Sequence, residues 1–155
     1  MMPVCVVNKL TYVDNRKVRD LDAGPLGAIL SEFVETNDWV PRLHTRAQDI
    51  AFAAKLIAGH CVFVWSVDRP VGFIAIHQNS IDALYVRNDQ HRQGYGSALI
   101  QHAQSIRSEL DLWTFQQNTK ARRFYATHGF SETEFTNGSG NDEGLPDVRL
   151  KWRAH

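Results

Sequence analysis

The sequence predicts a mixed α/β (α+β) domain, and three observations carry that prediction. Apolar runs that alternate every second residue trade places along the chain with runs of helical spacing, which favours a sheet covered by helices over a bundle or a sandwich. One such exchange, from Ile81–Val86 to Ser97–Leu110, passes through a basic, glycine-bearing turn. The chain has 155 residues, 43% hydrophobic and 22% charged, which suits one domain with a sizeable core.

In chain order, residues 1–16 read as an N-terminal extension or an extra edge strand around Val4 to Val7, ahead of one domain over 17–155. Lys17-Val18-Arg19-Asp20 reads as a short first strand. A helix opening at Asp22 to Pro25 carries Leu26, Ile29, Leu30 and Phe33 on one face. Thr45-Arg46-Ala47-Gln48 is a capping box, and the helix it starts stops at Gly59. Cys61–Val67 and Val71–Ile76 form a hairpin about Asp68-Arg69-Pro70, and Ile81–Val86 is the next strand. The helix from Ser97 directs Leu99, Ala103, Ile106 and Leu110 inward. Leu112–Phe115 is a strand, Asn118–His128 a helix, and Phe130–Phe135 and Val148–Trp152 are the last strands, with a loop over 137–147 between them.

The turn His91-Arg92-Gln93-Gly94-Tyr95-Gly96-Ser97 between a strand and a helix builds an anion site. Glycine allows a positive φ and close approach of a ligand to backbone. The first free N–H groups of the helix, with the positive end of its dipole behind them, point at whatever the turn holds. Arg92 adds a planar donor array suited to phosphate. A P-loop would need Gly-Lys-Ser/Thr, and no lysine separates Gly96 from Ser97; a dinucleotide turn would need Gly or Ala where Leu99 stands.

A second segment, Leu112 to Phe130, places Asn118 and Tyr125 seven residues apart, two helical turns, on a face with Ala121 and Arg122 between them. The two side chains are separated by about 10 Å along the axis. A long, thin ligand on that face could meet an amide at one end and a phenol at the other.

Together these segments resemble the GNAT superfamily of acyl-CoA-dependent N-acyltransferases, whose pyrophosphate motif is Gln/Arg-x-x-Gly-x-Gly/Ala. His91, Gly94 and Gly96 occupy those places, with His91 a departure that still offers a ring donor, and Asn88 stands where many relatives have proline. The resemblance implies a twisted mixed sheet of about seven strands with helices on both faces. It also implies a V-shaped splay between the strands preceding the glycine turn and Asn118. It further implies acetyl-CoA as co-substrate, with no metal, held by Leu84, Tyr85, Val86, His91, Arg92, Gln93, Gly94, Tyr95, Gly96, Ser97, Asn118, Ala121 and Arg122. The expected reaction is direct transfer of the acetyl group to a primary amine of a small molecule or peptide in a ternary complex. An acyl-CoA-binding module without turnover is the alternative.

Acyl transfer needs a neutral amine, donors for the oxyanion and a proton for the departing thiolate. Tyr125 is the expected general acid, because a phenol is a matched donor to a thiolate. A backbone N–H near Val86 is the oxyanion donor that the resemblance implies. Asp82, the carboxylate on its strand, shares parity with Ser80, Leu84 and Val86 and is a candidate base beside a water relay; its bland reading is a strand-end surface Asp. Trp39, His44, Trp65, His77 and Tyr85 could line an acceptor pocket, and Asp142, Glu143 and Asp147 could give the 137–147 loop a field that attracts cationic amines.

Lys and Arg total 17 against 17 Asp and Glu, which argues against a nucleic-acid partner. No apolar run reaches the roughly 20 residues of a membrane span, and no secretory leader is read, so a cytoplasmic enzyme with no membrane partner is expected. A homodimer is left open. Cys5 and Cys61 lie in apolar surroundings without a CxxC pair and read as unpaired thiols.

Overall fold

A computed structural model of the protein describes residues 15–17, 19–91 and 93–155. Its elements are β1 (Asn15–Lys17), α1 (Ala23–Thr36), α2 (Arg46–Gly59), β2 (Cys61–Val67), β3 (Arg69–His77), β4 (Ser80–Val86), α3 (Tyr95–Ile106), β5 (Glu109–Phe115), α4 (Thr119–Thr127), β6 (Ser131–Phe135) and β7 (Asp147–Arg153). The strands form one seven-stranded sheet in the order β1-β2-β3-β4-β5-β7-β6. Every neighbouring pair is antiparallel apart from β4 and β5. The mixed α/β fold expected from the alternation of patterns is the observed one.

Helices cover both faces because the central strands are apolar on both. On one face Leu99, Ile100 and Ala103 of α3 pack with Phe63, Ile74, Leu110, Leu112 and Leu150. On the other, Leu26 and Ile29 of α1 and Ala53 and Leu56 of α2 pack with Val62, Val64, Phe73 and Ala83. The capping box is present, with Thr45 Oγ1 accepting from Gln48 N at 3.2 Å and Gln48 Oε1 accepting from Thr45 N at 2.8 Å.

The decisive feature is how unequally β5 is held. Along β7 it is paired from Glu109↔Arg153 to Phe115↔Asp147, with Arg149 salt-bridged to Asp111 and Arg153 Nη2 3.2 Å from Glu109. Along β4 the single register pair is Ser80↔Asp111, reinforced by Asp111 N donating to Asn79 O at 2.9 Å. Beyond that point β4 and β5 carry no ladder between them, which is the expected splay.

Several boundaries differ from expectation. The first strand runs over Asn15–Lys17; Arg19 N donates to Asp22 Oδ2 at 2.7 Å and turns the chain into a short 3₁₀ helix where Lys17-Val18-Arg19-Asp20 was expected to stay extended. Helix α3 ends at Ile106, and Leu110 sits in β5, because pairing with β7 takes over from the helical spacing. Cys61 is disulfide-bonded, correcting the reading of unpaired thiols, because local spacing carries no sign of such pairing. Cys5, the Val4 to Val7 run, Val18 and Arg92 lie outside the described residues.

Candidate active site

The notch between β4 and β5 is lined first by backbone. Arg87 N donates to Val71 O at 2.8 Å, so Arg87 directs its amide to β3. Successive strand residues point their polar groups to opposite edges, so Leu84 and Val86 turn theirs toward the notch, where β5 offers no ladder partner. Tyr85 turns its backbone to β3 and its side chain to the α1 face. Unpaired strand edges are ready to accept an extended ligand bearing amides.

The glycine turn closes the wide end of the notch. Gly94 is the N-cap of α3 at φ +82°, a left-handed conformation that penalises any side chain. A Cβ on Gly96 would lie against the Phe124 ring at 3.5 Å and Val86 Cγ2 at 3.8 Å, whereas one on Gly94 would meet nothing within 4 Å. His91 departs from the expectation that its ring serves a phosphate: Nε2 donates to Val86 O at 2.8 Å and ties the turn to the strand end. Gln93 is exposed; Tyr95 anchors the helix by stacking on Trp65 with centroids 5.6 Å apart. Ser97 Oγ is hydrogen-bonded to His128 Nε2 at 3.1 Å.

Across the notch, Asn118 Oδ1 caps α4 by accepting from Ala121 N at 3.2 Å. Two turns on, Tyr125 is 7% exposed, packed against Phe124 and Phe130. Burial, and then the neighbouring Tyr85 phenol, push its pKa well above the usual tyrosine value, so its hydroxyl keeps its proton throughout the physiological range. Ala121 packs beside it. Arg122, expected to hold cofactor, is committed elsewhere: Nε and Nη2 make a forked salt bridge to Glu132 of β6, and Nη1 donates to Gln116 O at 2.9 Å. Its partner Glu132 comes into reach only when β6 packs beside α4.

Asp82 does not share the face of Leu84 and Val86. Ala75 pairs with Ala83 and Ile76 with Ile81, so Asp82 is the extra residue of a β-bulge and the alternation slips there. Its oxygens accept from Ser80 Oγ at 2.7 Å and meet His60 Nε2 at 2.7 Å. It lies three residues from Tyr85, about 10 Å along a strand that rises about 3.3 Å per residue. The structure therefore gathers Leu84, Val86, Gly94, Gly96, Asn118 and Tyr125 about the notch and leaves Asp82 at its closed end.

On the α1 face, half-buried rings bridge the opening. Tyr85 of β4 meets Phe33 of α1 at 5.2 Å, Phe33 meets Trp39 at 6.3 Å, and Trp39 meets Phe115 of β5 at 5.7 Å. Burial, then the Glu143 carboxylate, raise the Tyr85 pKa to about 12. Of the expected acceptor-pocket residues, Trp39 and Tyr85 belong to this arch; Trp65 is in the core, His44 is exposed, and His77 lies beside His60. Phe33 and Phe115 were legible only as helix and strand residues.

Glu143 is carried by the loop between β6 and β7, which is braced at its base. Gln116 Nε2 donates to Thr136 O and Asp147 O at 3.0 and 2.9 Å, and Asn141 Nδ2 donates to Leu145 O at 2.7 Å. Gly138, at φ +86°, leaves room for the Leu145 carbonyl carbon, which a Cβ would approach to 2.3 Å. Asp147 is bound to Thr136 and Asn141 and serves this brace, which removes it from the acidic cluster expected at the tip. A separate hollow of about 620 Å³, lined by Glu109, Asp111, Arg149, Lys151 and Trp152 among others, lies over β5 and β7 and shares no residue with the notch. Concavity alone would thus point to the wrong face.

A splayed parallel pair, an amide cradle at a helix start and a buried phenol across from it define an acyltransferase of the GNAT class. The acetyltransferase (GNAT) domain family matches residues 58–132. The peptidyl-lysine N-acetyltransferase YjaB of Escherichia coli is 32% identical over 120 residues, covering 76% of this chain and 82% of that protein. The chain belongs to the GNAT acetyltransferase family. YjaB of Salmonella typhimurium is 38% identical over 72 residues, 46% of this chain, and that match spans about half (50%) of the Salmonella protein's length. The apo-form solution structure of E. coli YjaB superposes with a TM-score of 0.75 at 25% identity, covering 91% of this chain and 97% of that one. The yncA protein of Salmonella typhimurium, solved with acetyl-CoA, has the same fold at a TM-score of 0.68 and 18% identity, covering 91% and 93% of the two chains. Among the described residues no helix is long and apolar enough to cross a membrane, and no group of metal-ligating side chains occurs.

Proposed function

We propose that this protein transfers an acetyl group from acetyl-CoA directly to a primary amine, the side-chain amine of a peptidyl lysine, in a ternary complex. The observation that carries the reading is the notch itself: strand-edge amides of Leu84 and Val86, the Gly94–Gly96 cradle and the protonated Tyr125 surround one gap in the sheet. The cradle fits a pyrophosphate because a helix N-terminus presents free amides there and Gly94, in the left-handed region, has open space where a side chain would stand. Acetyl-CoA bound there supplies the activated thioester. The lysine acceptor is supported by the activity named for YjaB.

Within this reading, Gly94, Gly96, Ser97 and the first amides of α3 take the phosphates, Arg92 adds charge, and Asn118 and Ala121 border the far wall. The Val86 N–H is the oxyanion donor; its carbonyl is occupied by His91, which fixes the direction of the adjacent peptide. Tyr125 gives its proton to the departing thiolate, since its phenol is protonated throughout the physiological range. Asp82 takes the amine proton through solvent, each oxygen retaining a lone pair beside Ser80 and His60. Proximity of amine and thioester then removes the need for a covalent enzyme intermediate.

The test is acetyl-CoA turnover across a panel of lysine peptides, free amines and peptides with only an α-amine. Thiol release that depends on a lysine peptide is the expected result. Thermal stabilisation by acetyl-CoA without transfer to any amine would instead assign a binding module.

A further inference from the structure

We infer that His128 is a positioning residue for the phosphate cradle: its ring backs the Ser97 hydroxyl, and through that contact acyl-donor binding is coupled to uptake of a proton. This rests on the transfer reading above. Ser97 and Gln104 lie seven residues apart on α3, two helical turns, and so share the face that meets the end of α4. Both hold His128: Ser97 Oγ is hydrogen-bonded to Nε2 at 3.1 Å, and Gln104 Nε2 donates to the His128 carbonyl at 2.7 Å. The His128 N–H donates to Tyr125 O at 3.0 Å, so the main chain of this residue is held on both sides. Phe124 completes the mount. Its ring centroid lies 4.7 Å from that of the imidazole, and its edge lies 3.5 Å from where a Gly96 Cβ would stand. Ending α4 does not need the imidazole, because Gly129 at φ +87° already turns the chain out of the helix.

The chemistry turns on a single hydrogen. A serine hydroxyl has one to give. With the cradle filled, Ser97 spends it on a phosphate oxygen, and the Ser97 oxygen then faces His128 Nε2 at 3.1 Å. Two lone pairs at that distance repel, so the contact survives only where Nε2 carries a hydrogen and donates. The Nε2–H tautomer and the imidazolium both meet that demand, and the negative phosphate beyond Ser97 favours the second. Before the phosphate arrives, burial holds the ring's pKa below the usual histidine value, so the free protein carries it neutral at physiological pH. The side chains against the ring, Ser97 of α3 and Phe124 of α4, are uncharged, and the Tyr125 phenol keeps its proton. The sign follows: a bound phosphate raises the ring's affinity for a proton, so binding tightens as pH falls from about 8 to about 6. His91 is a second histidine at the turn; its Nε2 is committed to Val86 O, and it is common to every variant of His128.

The test uses the whole chain and dephospho-CoA, which keeps the pyrophosphate and lacks the phosphate monoester that itself titrates at about pH 6. Calorimetry in buffers of different ionisation enthalpy reads both Kd and the protons taken up. The unmodified protein should take up a fraction of a proton that His128→Gln does not. His128→Gln keeps a neutral donor and should hold Kd within about twofold at about pH 8. His128→Phe keeps a ring and loses the donor, and should weaken binding by about 3- to 10-fold, the range of one lost hydrogen bond. Ser97→Ala should cost a similar factor, and its loss should not add to that of His128→Phe. If His128→Phe does not fold, proton uptake in His128→Gln still decides. Equal uptake by the unmodified protein and His128→Gln overturns the inference, as do equal weakening by Gln and Phe or additive losses with Ser97→Ala. Failure of the unmodified protein to bind either dephospho-CoA or acetyl-CoA would overturn the transfer reading itself, a distinct result.

Discussion

On the α3 side the notch is faced with backbone: the edges of Leu84 and Val86, the amides at Gly94 and Gly96, and one buried phenol. On the α1 side it is faced with rings. In the proposed reading, backbone would meet what never changes between turnovers, a pyrophosphate and an amide-bearing arm, and side chains would meet the acceptor. The two sides meet along β4, where the main chain of Leu84 and Val86 forms the open edge and the ring of Tyr85 between them joins the arch. Substitutions should therefore divide cleanly by side, and each prediction tries that division.

The largest effect is expected at Tyr125. Tyr125→Phe should lower kcat by about 10² to 10⁴, the range of one acid–base group, while calorimetry finds acetyl-CoA affinity within about twofold. Equal turnover would leave Tyr125 a groove aromatic. Asp82→Asn should lower kcat by about 10² with KM for acetyl-CoA unchanged; full activity would assign proton removal to water alone.

Gly96→Val comes next. It should weaken acetyl-CoA at least about tenfold, or about 1.4 kcal/mol, yet leave the apo protein folded, because an added Cβ makes ordinary contact with the Phe124 ring and Val86. Gly94→Val should lose binding and also about 1–2 kcal/mol of stability through its φ of +82°. Unaltered affinity in a folded Gly96→Val protein would break the assignment of the cradle.

A pH titration of stability probes the meeting point. The Tyr85 phenol has its pKa raised to about 12 by burial and Glu143, above the unfolded value near 10. Its contribution is fully present below pH 10 and is lost as pH rises from 10 toward 12. Tyr85→Phe should flatten that alkaline decline in Tm, and an unchanged slope would contradict the burial of the hydroxyl. Smallest of all, Arg122→Ala should cost about 1 kcal/mol by releasing Glu132 and leave acetyl-CoA affinity as it was. A loss of affinity there would return Arg122 to the cofactor side.

The same division separates what the sequence makes legible from what it hides. The glycine turn, the Asn118 cap and the Tyr125 face are set by neighbours a few residues away, so spacing alone places them. The surroundings of Asp82 and Arg122 were hidden for related reasons. The alternation that put Asp82 on the notch face assumes an unbroken strand, and the register against β3 slips at that residue. The partner that occupies Arg122 lies ten residues on, within reach only after β6 folds against α4. Trp39 and Tyr85 could be named as acceptor candidates, but their companions Phe33 and Phe115 carry ordinary helix and strand patterns. Only the separation of β4 from β5, set by long-range pairing with β7, turns four unrelated rings into one wall.

The braced loop between β6 and β7 has a consequence for how such an enzyme can diverge. Its base is locked by Gln116, Asn141, Asp147 and the close approach at Gly138, while Asp142 and Glu143 at the tip support none of those bonds. The tip is thus a replaceable cartridge on a fixed mount. Substitutions at those two positions would leave the brace and the sheet untouched, so the tip is free to vary while its mount stays fixed.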